Sequence, residues 1–329
     1  MVTELPVRGT AFVPHRGRGT ALILLASVSF GASGTIAKPA MLAGLSPEQV
    51  ATARIGLAAL VLAVVVAVFR PRLLLLRRAE WPLLLGYGLL GVAGVQLCYF
   101  VSVQRLPVGI AILLEFTSPV LIALWTRFVR RTVLPRRMWF GIALAMGGLA
   151  LVAQVWDGLS LDALGLLLGL CTAMCSAAYF LFGERGATTG DPLGMVTWGM
   201  IIGALVMCAV APPWTLPASV LAAPAAFGPW QPPVWMLVIA VALLSTALAY
   251  GLGTAALRHL PAAVASVVGL LEPVVATATA WALLGESLSW AQLAGAVVML
   301  GGATLVQLGQ DDTSRTAHAC SRPAGSASG

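Results

Sequence analysis

Ten stretches of the chain are continuously apolar, at about 20–44, 50–69, 82–104, 108–128, 138–156, 163–183, 194–213, 234–257, 262–284 and 290–308. Each approaches the ~20 residues that a helix needs to cross a hydrocarbon core of roughly 30 Å. Apolar residues follow one another without alternating at every second position, which predicts helices rather than the strands of a barrel. Polar residues collect between the runs. The pattern therefore predicts an all-α integral membrane protein with ten transmembrane helices. Residues from about 214 to 233, WTLPASVLAAPAAFGPWQPP, are rich in Pro and Trp and are expected to form an interfacial loop or short surface helix. Residues 1–19 form a basic tail, and the apolar run behind it is longer than the roughly 7–15 residues of a secretory signal, so it is expected to be retained. From 309 to 329 the chain turns polar and is expected to be a disordered tail.

The ten runs repeat. At an offset of 154 residues, Leu106 and Pro107 fall on Leu260 and Pro261, and Pro119 falls on Pro273. Gly141 falls on Gly295, and Gly147 and Gly148 fall on Gly301 and Gly302. A weaker match at 147 pairs Ser29 with Ser176 and Lys38 with Arg185. Identities at Leu or Ala carry little weight between apolar helices, but prolines and glycines in one register do. The predicted units are a first five-helix repeat at 20–156 and a second at 163–308. Five is odd, so the second copy must cross the membrane in the opposite sense. Inverted repeats are a common architecture of secondary transporters, with the solute site near the midplane between the halves.

Composition agrees with a lipid solvent: 59% of residues are hydrophobic and 9% charged. The net charge of +7 belongs to loops rather than to a nucleic-acid surface. Arginines occur in the N-terminal tail (Arg8, Arg16, Arg18), after the second run (Arg70, Arg72, Arg77, Arg78) and around the loop after the fourth (Arg127, Arg130, Arg131, Arg136, Arg137). Arg185, Arg258, Arg315 and Arg322 share their parity, against Arg105 alone on the other side. The positive-inside rule then places both termini in the cytoplasm of a multi-pass protein of the cell membrane. Cys98, Cys171, Cys175 and Cys208 lie within runs and read as small buried hydrophobes, since no His or acid accompanies them as a metal set.

The segments YFLFGERG after CTAMCSAA, LPVGIAILLEFTSP, and LLSTALAYGLGTAALRHLP with LLEPVVATATAWALLGESLSW and GAVVMLGG resemble the drug/metabolite transporter superfamily. They are similar to its EamA-type ten-span members, with features of the threonine/homoserine exporter branch. The resemblance covers residues 20–308. It implies a helical carrier of small metabolites, often an exporter, in the bacterial cytoplasmic membrane; a homodimer is compatible with it. EamA-type proteins commonly carry a basic residue at the end of the first span and an Arg early in the second, which Lys38 and Arg54 match. Glu286 also matches a familiar family position, where a capping role is the simplest reading.

Four charged side chains fall inside the runs: Lys38, Arg54, Glu115 and Glu272. Such groups cost at least ~2.5–3.5 kcal/mol at the bilayer centre and usually face a cavity or a partner. Glu272 precedes Pro273, whose ring disrupts the helix and frees a carbonyl. It is suited to proton exchange or to holding a substrate amino group; alternatively it satisfies carbonyls at the kink. Glu115 precedes Pro119 by four residues and either lines the same cavity or snorkels outward. Lys38 and Arg54 either form a cationic vestibule for a carboxylate or reach toward headgroups. Tyr99, Tyr179 and Tyr250 offer hydroxyls or pack. Pro119 and Pro273 are the expected hinges.

GYGLLG at 86–91 fits a dinucleotide fingerprint, but it lies inside an apolar run with no strand before it and reads as helix packing. No phosphate-binding loop occurs, and no cofactor or metal is expected. The expected function is secondary transport of a small polar metabolite, an amino acid or derivative, by alternating access, with proton coupling through Glu272. The competing class is a polytopic membrane enzyme acting on a lipid-soluble substrate. Such an enzyme needs clustered His, Asp or Glu, and His15, His259 and His318 stand apart from any acidic cluster.

Overall fold

A computed structural model describes residues 15–106, 108–155, 162–285, 287 and 289–320, without the side chains of 108, 109 and 309–320. Glu286, Pro107 and most of the basic N-terminal tail lie outside the described residues. Among the described residues, nine helices are long and apolar enough to cross a membrane: α1 (Arg16–Leu42), α2 (Pro47–Phe69), α3 (Arg78–Val103), α4 (Ile110–Phe128), α6 (Ala163–Thr189), α7 (Pro192–Val210), α8 (Val234–Ala256), α9 (Ala262–Leu284), and α10, whose apolar part is Trp290–Leu308. The remaining predicted run is α5 (Arg136–Val152), whose 17 residues lie at the short limit for a span. Residues 213–234 form two short helical turns, Pro213–Thr215 and Ala218–Ala222, and two isolated bridges.

Helix starts follow their sequence. Ser46 caps α2 in a reciprocal box with Gln49, and Pro47 occupies the first turn, where no N–H is needed. Asp162 caps α6 through the Gly165 N–H at 2.7 Å, and Asp191 caps α7 through that of Leu193 at 2.9 Å. At Gly285 the chain turns left-handed (φ 70°) and ends α9. The last helix, α10, runs from Trp290 to Cys320. After Gly309 no glycine or proline interrupts residues 310–320, so nothing stops a helix that the apolar turns have already nucleated.

Ion pairs and hydrogen bonds sort the helix ends into two sets. At one end Arg70 after α2 meets Asp191 before α7 at 3.2 Å, Arg130 after α4 meets Glu184 near the end of α6, and the His15 N–H before α1 donates to Nδ1 of His259 at 3.1 Å. At the other end Arg105 after α3 meets Asp162 before α6 at 3.7 Å, and Gln154 after α5 reaches Ser289 before α10. Thus α1 starts at the first end and α6 at the second. The two five-helix repeats run in opposite senses. The first end carries most of the arginines and is called the arginine-rich end below.

The outer surface is greasy, as lipid requires: Leu205 is 69% exposed and Val297 70%. Inside, small residues let the helices close up. Antiparallel α5 and α10 meet along a glycine seam in which a Cβ at Gly141 would stand 2.8 Å from the Gly302 carbonyl oxygen, and one at Gly148 2.7 Å from that of Gly295. Under the 154-residue register Gly141 corresponds to Gly295 and Gly148 to Gly302. The seam therefore maps onto itself when the repeats are exchanged. Gly147 faces open space and Gly301 meets only a side-chain methyl at 3.8 Å, so one glycine of each pair does the packing.

Candidate functional site

Two spans are broken at the same register. Along the fourth span a helix over Val108–Glu115 gives way at Phe116 and Thr117 to a second over Ser118–Phe128. In α9 the halves are Ala262–Gly269 and Leu271–Leu284. Pro119 and Pro273 each stand near the start of a second half. Their missing N–H groups would have bonded the carbonyls of Glu115 and Gly269, so the helix cannot run through. Glu115 thus sits at the end of one half-helix, whereas Glu272 sits in the first turn of another. The third and eighth spans correspond as well. Each contains a π-helical stretch, Tyr87–Gly94 in α3 and Leu243–Leu248 in α8, overlapping in the 154-residue register. Wide turns of this kind re-aim the side chains that follow them, here Gln96 and its register partner Tyr250.

These departures from regular helix surround one cavity. A hollow of about 120 Å³ is lined by Arg54 from α2, Gln96 from α3, Glu115 and Ser118 from α4, Ser176 and Tyr179 from α6, Tyr250 from α8, and Gly269 and Glu272 from α9. Glu115 and Gly269 are register partners, as are Ser118 and Glu272. The two repeats thus contribute the same positions with one carboxyl each, placed differently. A second hollow of about 320 Å³ shares Arg54, Gln96, Glu115 and Glu272. It runs past Ala37, Met41 and Pro47, toward the end opposite the arginines.

The charged groups face the cavity without closing on one another. Arg54 donates to Ser33 at 2.8 Å and belongs to none of the ion pairs among the described residues. Its Nε and the Tyr179 hydroxyl are buried without a hydrogen-bond partner among those residues. Tyr250 stands edge-on to Phe30 (5.1 Å) and to Tyr179 (5.4 Å), and Tyr179 stands edge-on to Phe180 (5.0 Å). These rings form a wall whose faces suit a cation. Gly31 of α1 allows close approach to the break in α9: a Cβ there would meet the Glu272 carbonyl oxygen at 2.7 Å.

Of the residues singled out from sequence, Arg54, Glu115, Glu272, Tyr179 and Tyr250 come together here. Tyr99 lines the outer hollow beside Pro273. Lys38 is exposed on α1 and lies outside the lining of both hollows. Sequence reasoning missed Gln96, Ser33 and Ser176 as cavity residues. The register pairing Gln96 with Tyr250 was the available signal for the first.

Toward the arginine-rich end, Ile23, Ser118, Ser176 and Ser266 form the cavity floor. Beneath it Leu257 and Leu260 are buried. The Glu184 carboxylate there pairs with Arg130 at 2.5 Å and accepts the Ala262 N–H at 3.1 Å. This clasp joins α6 to the end of α4 and the start of α9.

Comparison with known proteins agrees with this architecture. The EamA-like transporter family matches residues 17–154 and again residues 163–308. The threonine/homoserine exporter RhtA of Escherichia coli K12 is 34% identical over 289 residues, covering 86% of this chain and 90% of that protein. RhtA of Salmonella typhimurium SL1344 is 32% identical over 274 residues, 83% and 85% of the two chains. The uncharacterized transporter YwfM of Bacillus subtilis is 24% identical over 302 residues, 90% of this chain and 96% of that one. A solved structure described only as a crystal structure of a protein superposes with a TM-score of 0.73 at 17% identity, over 89% of this chain and 98% of that one, and shares the fold. With two family matches along the chain and relatives above 30% identity over most of its length, this membrane protein belongs to the EamA-like transporter family.

Proposed function

We propose that the chain exports a small polar metabolite, an amino acid or close derivative, by alternating access in the bacterial cytoplasmic membrane. The observation that carries this reading is the polar cavity between the repeats, where one guanidinium and two carboxyl groups line a space that continues toward the end opposite the arginines. A solute with a carboxylate and an ammonium group matches that set. Arg54 presents a planar fork to the carboxylate, and Glu115 and Glu272 present acceptors to the ammonium group beside the aromatic wall. The names of the exporters RhtA support the same substrate class.

In the ligand-free cavity one guanidinium balances one carboxylate, so the second acid is neutral only when it holds a proton. An arriving ammonium group can take the place of that proton. Glu272 is the proposed exchanging group, because it stands in the first turn of a half-helix at the break, beside Pro273. The arginine-rich end is assigned to the cytoplasm by the positive-inside rule, with both termini there. The cavity then faces outward, and the Arg130–Glu184 clasp seals the inner side. The repeat boundaries are proposed as 20–156 and 163–308, and Pro119 and Pro273 as the points about which the half-helices move.

The test is flux of threonine or homoserine in proteoliposomes with and without an imposed pH gradient. Wild-type flux is expected to respond to the gradient. Glu272→Gln is expected to lose at least tenfold of that flux, the range typical of removing one charged partner, with membrane insertion intact. Full, gradient-dependent flux in the Gln variant would remove Glu272 from the mechanism.

A further inference from the structure

Away from the transport cavity, a hollow of about 790 Å³ opens at the arginine-rich end. Its walls come from the segment joining α2 to α3, the start of α3, the end of α6 and the start of α7, so both repeats contribute. Its charged lining is Arg72, Arg77 and Arg185 with two acids, Glu80 and Asp191. Both acids are engaged. Asp191 pairs with Arg70 and caps α7, and Glu80 accepts the Arg77 N–H at 3.3 Å. The three guanidinium groups take part in no ion pair among the described residues. Leu73, Leu83, Phe182 and Trp198 supply an apolar wall beside them.

The hollow lies at the ends of the spanning helices, where a protein in a bilayer meets lipid headgroups. Trp198 packs against Trp81 at 6.2 Å, with its indole N–H donating to the Leu73 carbonyl at 3.3 Å, the amphipathic placement that tryptophan adopts at a membrane interface. Cationic pockets between helices at this level hold anionic headgroups. We propose that this hollow is a binding site for an anionic phospholipid, with Arg72, Arg77 and Arg185 on the phosphate and the Leu73–Phe182–Trp198 wall against the acyl chains. A lipid seated there bridges the two repeats at the closed end. The site is independent of which solute the central cavity carries.

The experiment is native mass spectrometry of the full chain in detergent, titrated separately with phosphatidylglycerol, phosphatidylcholine and inorganic phosphate. Phosphatidylglycerol is expected to remain bound where phosphatidylcholine does not, and millimolar phosphate is expected not to displace it. Each arginine near an anionic headgroup contributes about a fivefold preference, so R72Q/R77Q/R185Q should weaken phosphatidylglycerol by on the order of 100-fold. R127Q/R131Q/R136Q removes the same charge from the same end outside the hollow and should change it by no more than about threefold. Equal retention of both lipids, equal weakening by both triple variants, or displacement by phosphate alone would overturn the assignment. Should the first triple variant not fold, the single variants R72Q, R77Q and R185Q decide the matter, each expected to weaken phosphatidylglycerol by about fivefold and R127Q by clearly less.

Discussion

Arg54 shows how one side chain gains meaning from its surroundings. In sequence it is an arginine eight positions into α2, open to a lipid-facing or a cavity-facing reading; in the fold it is half-buried, anchored to Ser33, holds a buried Nε without a hydrogen-bond partner among the described residues, and lines the space shared with Glu115 and Glu272. Lys cannot reproduce the two-pronged contact that Arg makes with a carboxylate. Arg54→Lys is therefore expected to raise the half-saturation concentration for an amino-acid solute about tenfold with a smaller change in maximal flux, measured by uptake into vesicles. His259, outside the spans, gives a second prediction. Burial, with added repulsion from Arg18, His15 and Arg258, holds its imidazole below the ordinary value. The neutral ring accepts the His15 N–H. The unfolded chain therefore binds the proton more readily, so this contribution to stability is present above about pH 6.5 and lost as the pH falls below it. Thermal unfolding should show a smaller loss between about pH 7.5 and 5.5 in His259→Asn than in the wild type.

At the level of helices, the seam of α5 and α10 is the most exacting contact. Each of Gly148 and Gly302 lies so close to the partner backbone that an added Cβ would stand 2.7 Å or less from a carbonyl oxygen, and backbone cannot step aside as a side chain can. Gly148→Leu should cost at least the ~1–3 kcal/mol of an overpacked core, read as a loss of thermal stability in detergent. Gly147→Ala, pointing into open space, should be neutral or slightly stabilising. Much of this layer was legible in sequence. Apolar runs fixed the helices, and Pro119, Pro273 and the paired glycines fixed the register. The π-helical stretches of α3 and α8 were not legible, because no residue type demands them; they arise from how whole helices pack, and they decide that Gln96 joins the cavity.

Over the whole molecule, the two ends differ in a way that bears on alternation. The clasp at the arginine-rich end uses Arg130, Glu184 and the Ala262 N–H. Their register counterparts at the opposite end are Leu284, Ala37 and Val108, which offer no ion pair. Arg130→Gln removes one side of a partly exposed pair, a change worth about 0–1 kcal/mol, and should shift the population toward states closed at the other end by up to about fivefold. Reaction of a cysteine introduced at Met41 with a membrane-impermeant thiol reagent should slow accordingly. Labelling that is unchanged would separate the clasp from the conformational balance. Inversion itself was legible from five runs counted twice, whereas the clasp was not, since its members lie 54 and 78 residues apart along the chain.

Because the glycine contacts between α5 and α10 are the same whichever repeat is viewed first, they contribute equally to either access state. Such a fulcrum has no vote in which side the carrier faces at rest. Damage there would alter how quickly the halves exchange, while the resting ratio would stay where unlike parts such as the Arg130–Glu184 pair have set it.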